Sequence, residues 1–309
     1  MTDPAARRPP PAAHREGQTV AGTSRLTAYI NLVKLPHTLF ALPFALVGTV
    51  LASYERAITV RQIGWVVIAF TAARFAAMGF NRIVDRHIDA LNPRTARREL
   101  PAGVLGVVET MAAVAVASGI FVVAAWRLNT LCLALSPIAL GWVLAYSYTK
   151  RFTRWSHLVL GLGLSIAPVG GYLAITGRWS EPWWMLGALA VAVATWVAGF
   201  DILYALQDVT FDRDNALHSI PVAFGDGGAL AIARALHVIT IASLTLVGVA
   251  TAAGWVYAVG VGVAAALLLY EHSLVRVGDL SRLDAAFFTM NGIISITFFA
   301  FVLTERLTR

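Results

Sequence analysis

The sequence predicts an all-α fold: a polytopic membrane protein whose nine transmembrane helices form a bundle with cytosolic active-site loops. Three observations carry that expectation. The 309 residues are 58% hydrophobic and only 13% charged, against roughly 25% charged in a soluble domain. Apolar runs of about 20 residues, each long enough to cross a bilayer as a helix, recur along nearly the whole length. Lysine and arginine are also distributed unevenly between the segments joining those runs, as expected of a chain oriented by positive charge.

Taken in order, residues 1–24 (MTDPAARRPPPAAHREGQTVAGTS) are rich in proline, alanine and arginine and hold no apolar core. They read as a disordered cytosolic tail without a signal-peptide pattern. Residues 25–309 read as one nine-helix transmembrane domain. Its expected spans are 36–54, 62–84, 104–125, 129–148, 155–176, 183–207, 229–252, 254–271 and 284–305. With the N-terminus inside, sixteen lysines and arginines fall on the cytosolic side and six on the other. That asymmetry orients the chain N-terminus in and C-terminus out, and the three long polar segments, 85–103, 208–228 and 272–283, then share the cytosolic face. The expected location is a bacterial inner (plasma) membrane. The net charge of +7 belongs to these loops and implies a lipid bilayer as partner, with no nucleic acid.

Cys132, the one cysteine, lies in an apolar run and excludes an internal disulfide or thiolate cluster. His37, His87, His157 and His218 show no metal-ligand spacing and read as interfacial or hydrogen-bonded histidines. Trp126, Trp179, Trp183 and Trp184 fall near helix ends on the outer side, as an aromatic belt would. Pro168, Gly170 and Gly171 read as a site of close helix packing.

The chemistry concentrates in two stretches. Gly79–Gly103, GFNRIVDRHIDALNPRTARRELPAG, places Asn81, Asp85 and Asp89 at i, i+4 and i+8, nearly one face of a helix. Carboxylates stacked about 6 Å apart repel unless a cation lies between them. Oxygen donors so arranged suit Mg²⁺, which completes its shell with water and substrate phosphates. Arg86, Arg94, Arg97 and Arg98 follow and would face the same phosphates. The second stretch, Phe200–Gly225, repeats the spacing with Asp208 and Asp212, while Asp201 and Tyr204 extend the polar stripe back along the same helix. Charge at membrane depth costs roughly 2.5–3.5 kcal/mol per residue on insertion scales, so two such motifs at helix ends point to function rather than to ordinary solvated termini.

Asn81-x-x-x-Asp85-x-x-x-Asp89, followed by N-P-R-T-A-R-R-E-L-P-A-G and later by Y-A-L-Q-D-V-T-F-D-R-D, resembles the UbiA superfamily of membrane aromatic prenyltransferases. K-L-P-H-T-L-F-A-L-P-F-A-L and Y-S-Y-T-K-R-F-T look like the same family, and the resemblance spans about residues 25–305. It implies Mg²⁺-dependent transfer of a prenyl group from a polyprenyl diphosphate to an aromatic ring. Carried over by position, Asn81, Asp85 and Asp89 form the first metal motif, and Asp208 and Asp212 the second. Arg94, Arg98 and Lys150 would contact the diphosphate, with Tyr146 near it; Asp85, Asp89, Asp208, Asp212 and Lys150 would carry the chemistry. Many members have an acidic residue after the motif asparagine. Arg82 stands there and would contact phosphate or point into the headgroups.

Arg74 lies seven residues before Asn81, deeper on a similar face. Its guanidinium suits the carboxylate of an aromatic acid, a role the resemblance also implies. The wording of residues 79–103 is closest to quinone-biosynthesis members acting on 4-hydroxybenzoate (ubiquinone) or on a dihydroxynaphthoate (menaquinone). Two rivals come from other classes. A secondary transporter would hold its carboxylates near the midplane, and a CDP-alcohol phosphotransferase would show a dense D-G-x-x-A-R motif, which the sequence lacks.

Overall fold

The computed structural model describes residues 20, 22, 24–280, 282–283 and 289–309, with residues 35–40 described by their backbone alone. Almost all of the expected N-terminal tail, the His37 side chain and positions 284–288 of the last expected span therefore lie outside the described residues.

Eleven α-helices follow in order: α1 (Arg25–Leu32), α2 (Leu35–Ala52), α3 (Val60–Leu91), α4 (Val107–Leu128), α5 (Thr130–Ala145), α6 (Ser156–Thr176), α7 (Trp184–Ala205), α8 (Val209–Asp214), α9 (Ile220–Ala250), α10 (Trp255–Leu274) and α11 (Asn291–Thr308). No β-sheet occurs among the described residues. Among the described residues seven helical segments are long and apolar enough to cross a membrane: α3, α4, α5 with its continuation to Arg151, α6, α7 through α8, α9 and α10. In the first expected span, α2 offers a shorter apolar stretch, Ala41–Ala52. The ninth is occupied in part by α11, which ends in charged residues.

Local sequence sets the boundaries. The Thr59 hydroxyl accepts from the Gln62 N–H and the Gln62 side chain accepts from the Thr59 N–H, a reciprocal cap that starts α3. Asn129 caps α5 through the Cys132 N–H, and Ser219 caps α9. Gly225, at φ 68°, interrupts α9 so that its first turn stands apart from the long helix that follows.

Each long helix packs on its sequence neighbour, and α11 closes the bundle against α2. The α2–α6 contact is the tightest approach. A Cβ on Gly48 would sit 1.8 Å from the Pro168 carbonyl oxygen, and one on Gly171 would sit 2.2 Å from that of Ala45. Small residues thus let the two backbones touch, as membrane helices require when lipid supplies no drive for association. Phe44, Tyr172, Trp196 and Phe298 fill the core beside them, with the Phe44 and Trp196 rings 4.6 Å apart.

The two ends of the bundle are tied separately. At one end Arg25 pairs with Glu109, joining α1 to the start of α4 just after the first acidic stretch. At the other, Tyr172 and Arg178 both bind Glu55, and Arg306 donates to the Ser53 hydroxyl at 2.7 Å. The acidic stretches and α1 therefore lie at one end, and the C-terminal helix finishes at the other. Trp126, Trp179 and Trp183, all exposed, stand at this second end.

Candidate active site

The first acidic stretch stays helical well past the end of its apolar run. At 32 residues, α3 is about 48 Å long, so Asn81, Asp85 and Asp89 share one helix face. The segment after it folds back over that end: the Thr95 hydroxyl donates to the Asp89 carbonyl, and the Arg94 N–H donates to the Asn92 side chain. Covered in this way, Asp85 and Asp89 are only 3% and 5% exposed. They are not carboxylates of a solvated helix end.

The second stretch differs from a continuous helical stripe. α7 ends at Ala205, the backbone tightens to a 3₁₀ turn over Leu206–Asp208, and α8 begins at Val209. Asp201 and Tyr204 thus belong to α7, Asp208 to the turn and Asp212 to α8. The extra twist of i+3 bonding aims Asp208 at the segment following α3.

The ten residues to which the family resemblance gives a role line one cleft of about 380 Å³: Arg74, Asn81, Asp85, Asp89, Arg94, Arg98, Tyr146, Lys150, Asp208 and Asp212. Its mouth is ionic and its interior, formed by Ala41, Leu160, Leu164, Trp196, Val197 and Phe200, is apolar and aromatic. Arg86 and Arg97 are not part of it. Arg86 donates to the Ile83 carbonyl, and Arg97 is exposed.

Each of three aspartates is gripped by cations. Asp85 binds Lys150 Nζ at 2.7 Å and Arg151 Nη2 at 2.9 Å, and accepts from Asn81 Nδ2 at 3.1 Å. Asp89 accepts from Arg98 at 2.8 Å. Asp208 receives a two-pronged Arg94 bond, Nε at 3.1 Å and Nη2 at 2.5 Å, plus one from Asn92 at 3.1 Å. Arg94 also reaches the Tyr204 hydroxyl at 3.1 Å. Burial opposes the Arg94 charge, but Tyr204 and Asp208 outweigh it and hold its pKa above the ordinary arginine value. Burial, reinforced by Arg82, pulls Arg98 down to about 10 despite Asp89; it remains charged at neutral pH.

The metal motifs take a form the spacing did not convey, and one of the two alternatives for Arg82 needs correction. Among the described residues no three His, Cys, Asp or Glu side chains converge into a metal-holding group; arginine and lysine stand against the carboxylates instead. Arg82 does not reach for headgroups. It is 5% exposed, donates to the Leu32 carbonyl and lies 3.9 Å from Asp89. The donor set still fits Mg²⁺, since it is built of hard oxygens on two elements. Asp89 Oδ2 is moreover buried without a hydrogen-bond partner, an open lone pair of the kind a cation satisfies.

Sequence reasoning missed Arg151, Asn92, Lys34 and Asn291. Arg151 had counted only as a loop charge. Asn92 and Lys34 open two of the family-like strings but were given no role, and Asn291 was not marked at all; tertiary packing brings all three to the cleft or its aspartates. His157 is hydrogen-bonded, as its scattered position suggested: Nδ1 lies 2.7 Å from Asp201 Oδ2, inside the same cleft.

The sequence model of the UbiA prenyltransferase family matches residues 41–293, four-fifths of the chain and every cleft residue but Lys34. The chain belongs to the UbiA prenyltransferase family. It is an integral membrane enzyme that transfers prenyl groups. Among its relatives, the 4-hydroxybenzoate octaprenyltransferase of Nitrosospira multiformis is 29% identical over 79% of this chain and 82% of its own length. That of Idiomarina loihiensis is 32% identical over 69% and 74%. A solved apo structure of a UbiA homolog from Aeropyrum pernix superposes with a TM-score of 0.80 at 34% identity, covering 87% of this chain and 98% of that one. A UbiA homolog from Archaeoglobus fulgidus bound to DMAPP and Mg²⁺ shares the fold, with a TM-score of 0.73 at 20% identity over 91% of this chain and 100% of its own.

Proposed function

We propose that this UbiA enzyme transfers a polyprenyl group from a polyprenyl diphosphate to an aromatic acid of the 4-hydroxybenzoate type, with Mg²⁺, in quinone biosynthesis. The carrying observation is a single cleft with an ionic rim of two acidic motifs, an apolar interior, and one arginine below the rim. The names of the curated relatives and the Mg²⁺- and DMAPP-bound A. fulgidus homolog support the same reading.

In this reading Asn81, Asp85, Asp89, Asp208 and Asp212 hold the metal, which when bound neutralises the leaving diphosphate. Arg94, Arg98 and Lys150 turn from their aspartate partners to the phosphate oxygens and stabilise the charge that develops as the prenyl C1–O bond breaks. Trp196, Phe200, Tyr146 and Tyr204 present π faces to the allylic cation. The prenyl tail lies along the apolar interior. Arg74, seven residues and so about 10 Å below Asn81, grips the acceptor carboxylate. The acidic end faces the cytosol.

The test is purified enzyme given farnesyl diphosphate, Mg²⁺ and a panel of acceptors: 4-hydroxybenzoate, a dihydroxynaphthoate and a benzoate without the hydroxyl. Prenylated 4-hydroxybenzoate formed only with Mg²⁺ is expected; no product from any acid refutes the reading. Arg74→Ala should then raise KM for the acid while leaving that for prenyl diphosphate nearly unchanged, and Arg74→Lys should restore only part, lacking the bidentate fork. A selective loss for prenyl diphosphate would mean the two substrates sit the other way round.

A further inference from the structure

Prenylation of a ring carbon is incomplete until that carbon loses its proton, and the cleft holds few groups able to take it. Asp85, Asp89 and Asp208 are held by lysine or arginine at 2.9 Å or less, so their oxygens are already engaged with cations. Asp212 belongs to the second acidic motif. Glu271 is fully buried between α10 and α11, outside the cleft.

Asp201 differs from the three paired aspartates in having no cationic partner, from Asp212 in standing seven residues before Asp208 and so below the rim, and from Glu271 in lining the cleft. Among the described residues no lysine or arginine lies within ion-pair distance of it, its side chain is about a quarter exposed and lines the cleft, and it pairs with His157. The Ile220 N–H, which can only donate, lies 3.4 Å from His157 Nε2. Nε2 therefore accepts, Nδ1 carries the proton, and that proton is donated to Asp201 Oδ2. A neutral histidine anchored to the start of α9 thus fixes one carboxylate oxygen, Oδ2, and leaves Oδ1 outside that bond. Because Nε2 is already used, His157 itself is not available as the acceptor.

Depth agrees with this chemistry. α3 and α7 both run toward the acidic end. Asp201 precedes Asp208 by seven residues, as Arg74 precedes Asn81, so each lies about 10 Å below its own motif. The Arg74 and Asp201 side chains both line the cleft. A ring gripped by Arg74 would meet Asp201, not the metal edge.

We infer that Asp201, oriented by His157, is the general base that removes the ring proton. The prenyl C1–O bond breaks with its electron pair leaving on the diphosphate, and C1 bonds to the ring carbon using a ring π pair. The C–H bond of that carbon then returns its pair to the ring while the proton passes to Asp201 Oδ1, and from there to water at the mouth. His157 stays neutral throughout and acts as a positioning residue.

This inference rests on the aromatic-prenyltransfer reading, and the experiment separates the two. Wild-type enzyme, Asp201→Asn and His157→Gln are given farnesyl diphosphate, Mg²⁺ and 4-hydroxybenzoate with hydrogen or deuterium on the ring. Asn keeps the acceptor for His157, so the fold is preserved. Asp201→Asn should lower transfer by about 10²–10⁴-fold, the usual contribution of a positioned base. It should still bind farnesyl diphosphate and release diphosphate, now partly as prenyl alcohol, and should show a primary deuterium effect that the wild type lacks. His157→Gln, which can still donate to Asp201, should fall between them. Transfer by Asp201→Asn at the wild-type rate, or without an isotope effect, overturns the inference. So does an equal loss of farnesyl diphosphate binding, which would assign Asp201 to the metal edge. A wild type that prenylates no acid refutes the underlying reading instead.

Discussion

Asp85→Asn tests the ionic rim most directly. The substitution keeps the shape of the side chain and removes one charge from a carboxylate that is 3% exposed and touches Lys150, Arg151 and Asn81. Two effects follow and must be separated. The first is on stability: each hydrogen bond to a charged group contributes about 1.5–3 kcal/mol, and the amide oxygen retains one of the two cationic partners. Lys150 and Arg151 are each about 30% exposed, so the cation left over is rehydrated in part, and the net cost is about 1–3 kcal/mol. The second is on rate. Removing one group from a preorganised site that stabilises developing charge costs about 10²–10³-fold in kcat, or about 3–4 kcal/mol, and loss of a metal ligand adds to it. The assay pairs initial rates of prenyl transfer with thermal unfolding in detergent. The expected result is a folded protein of modestly lower melting temperature, with at least a 10²-fold lower kcat and a raised Mg²⁺ requirement. A folded variant that retains wild-type kcat at the wild-type Mg²⁺ optimum would remove Asp85 from the chemistry and the first motif with it.

Arg94→Ala strips Asp208 of its two-pronged partner and Tyr204 of its donor; steady-state kinetics should show a higher KM for prenyl diphosphate and at least a tenfold lower kcat/KM. Gly48→Ala forces a Cβ to 1.8 Å from the Pro168 backbone oxygen, and overpacking of about 1–3 kcal/mol or more should appear as lost yield and melting temperature. Gly64→Ala, which meets nothing within 4 Å, should not change either. Cysteines at Arg97 and Arg213 should be labelled from the cytosolic face alone and one at Arg178 from the opposite face; labelling of Arg97 and Arg213 from different faces would break the shared cleft.

Much of the site was legible because helical geometry is local. Asn81, Asp85 and Asp89 share a face in any α-helix that continues through them, and the α3 sequence has no proline or glycine between Asn81 and Leu91 to stop it. Arg74 followed from the same periodicity. What the spacing could not convey was cover. The helix was expected to leave the membrane where its apolar run ends, at residue 84, and to be bathed in water beyond. Instead the Asn92–Gly106 segment folds back and buries Asp85 and Asp89. The cross-chain pairs were equally invisible: Arg151 meets Asp85 across 66 positions, and Arg94 meets Asp208 across 114. Such pairs are set by the packing of α3, α5 and α7, not by any local preference. The turn at Leu206–Asp208 was hidden for a related reason, since A-L-Q-D-V carries no breaker and the local pattern favours an unbroken helix. α9 was expected from residue 229 because Gly225, Asp226, Gly227 and Gly228 read as loop, whereas Ser219 caps a helix from Ile220 that Gly225 only kinks.

The charge balance of the cleft suggests how one site holds both an anionic substrate and a cluster of carboxylates. Six cationic side chains line it, Lys34, Arg74, Arg82, Arg94, Arg98 and Lys150, against five aspartates, Asp85, Asp89, Asp201, Asp208 and Asp212. A lone buried charge of either sign would cost several kcal/mol; nearly matched sets avoid that cost by pairing. Mg²⁺ and diphosphate together also bring charges of both signs, which can be taken up by exchange. In the proposed reading Asp85, Asp89 and Asp208 would pass from lysine or arginine to the metal, and the released guanidinium and ammonium groups would pass to phosphate. Each group of these ion pairs would keep a partner of opposite sign throughout, so neither ligand would be favoured without the other. Prenyl diphosphate alone would leave the carboxylates unpaired, and the metal alone would leave the arginines unpaired. The two ligands should therefore bind with positive coupling, each raising the affinity for the other by the same factor. Titration calorimetry of farnesyl diphosphate with and without Mg²⁺ measures that factor. Equal affinity in both conditions would show that the ion pairs at the rim do not exchange, and that the arginines hold their aspartates for structure alone.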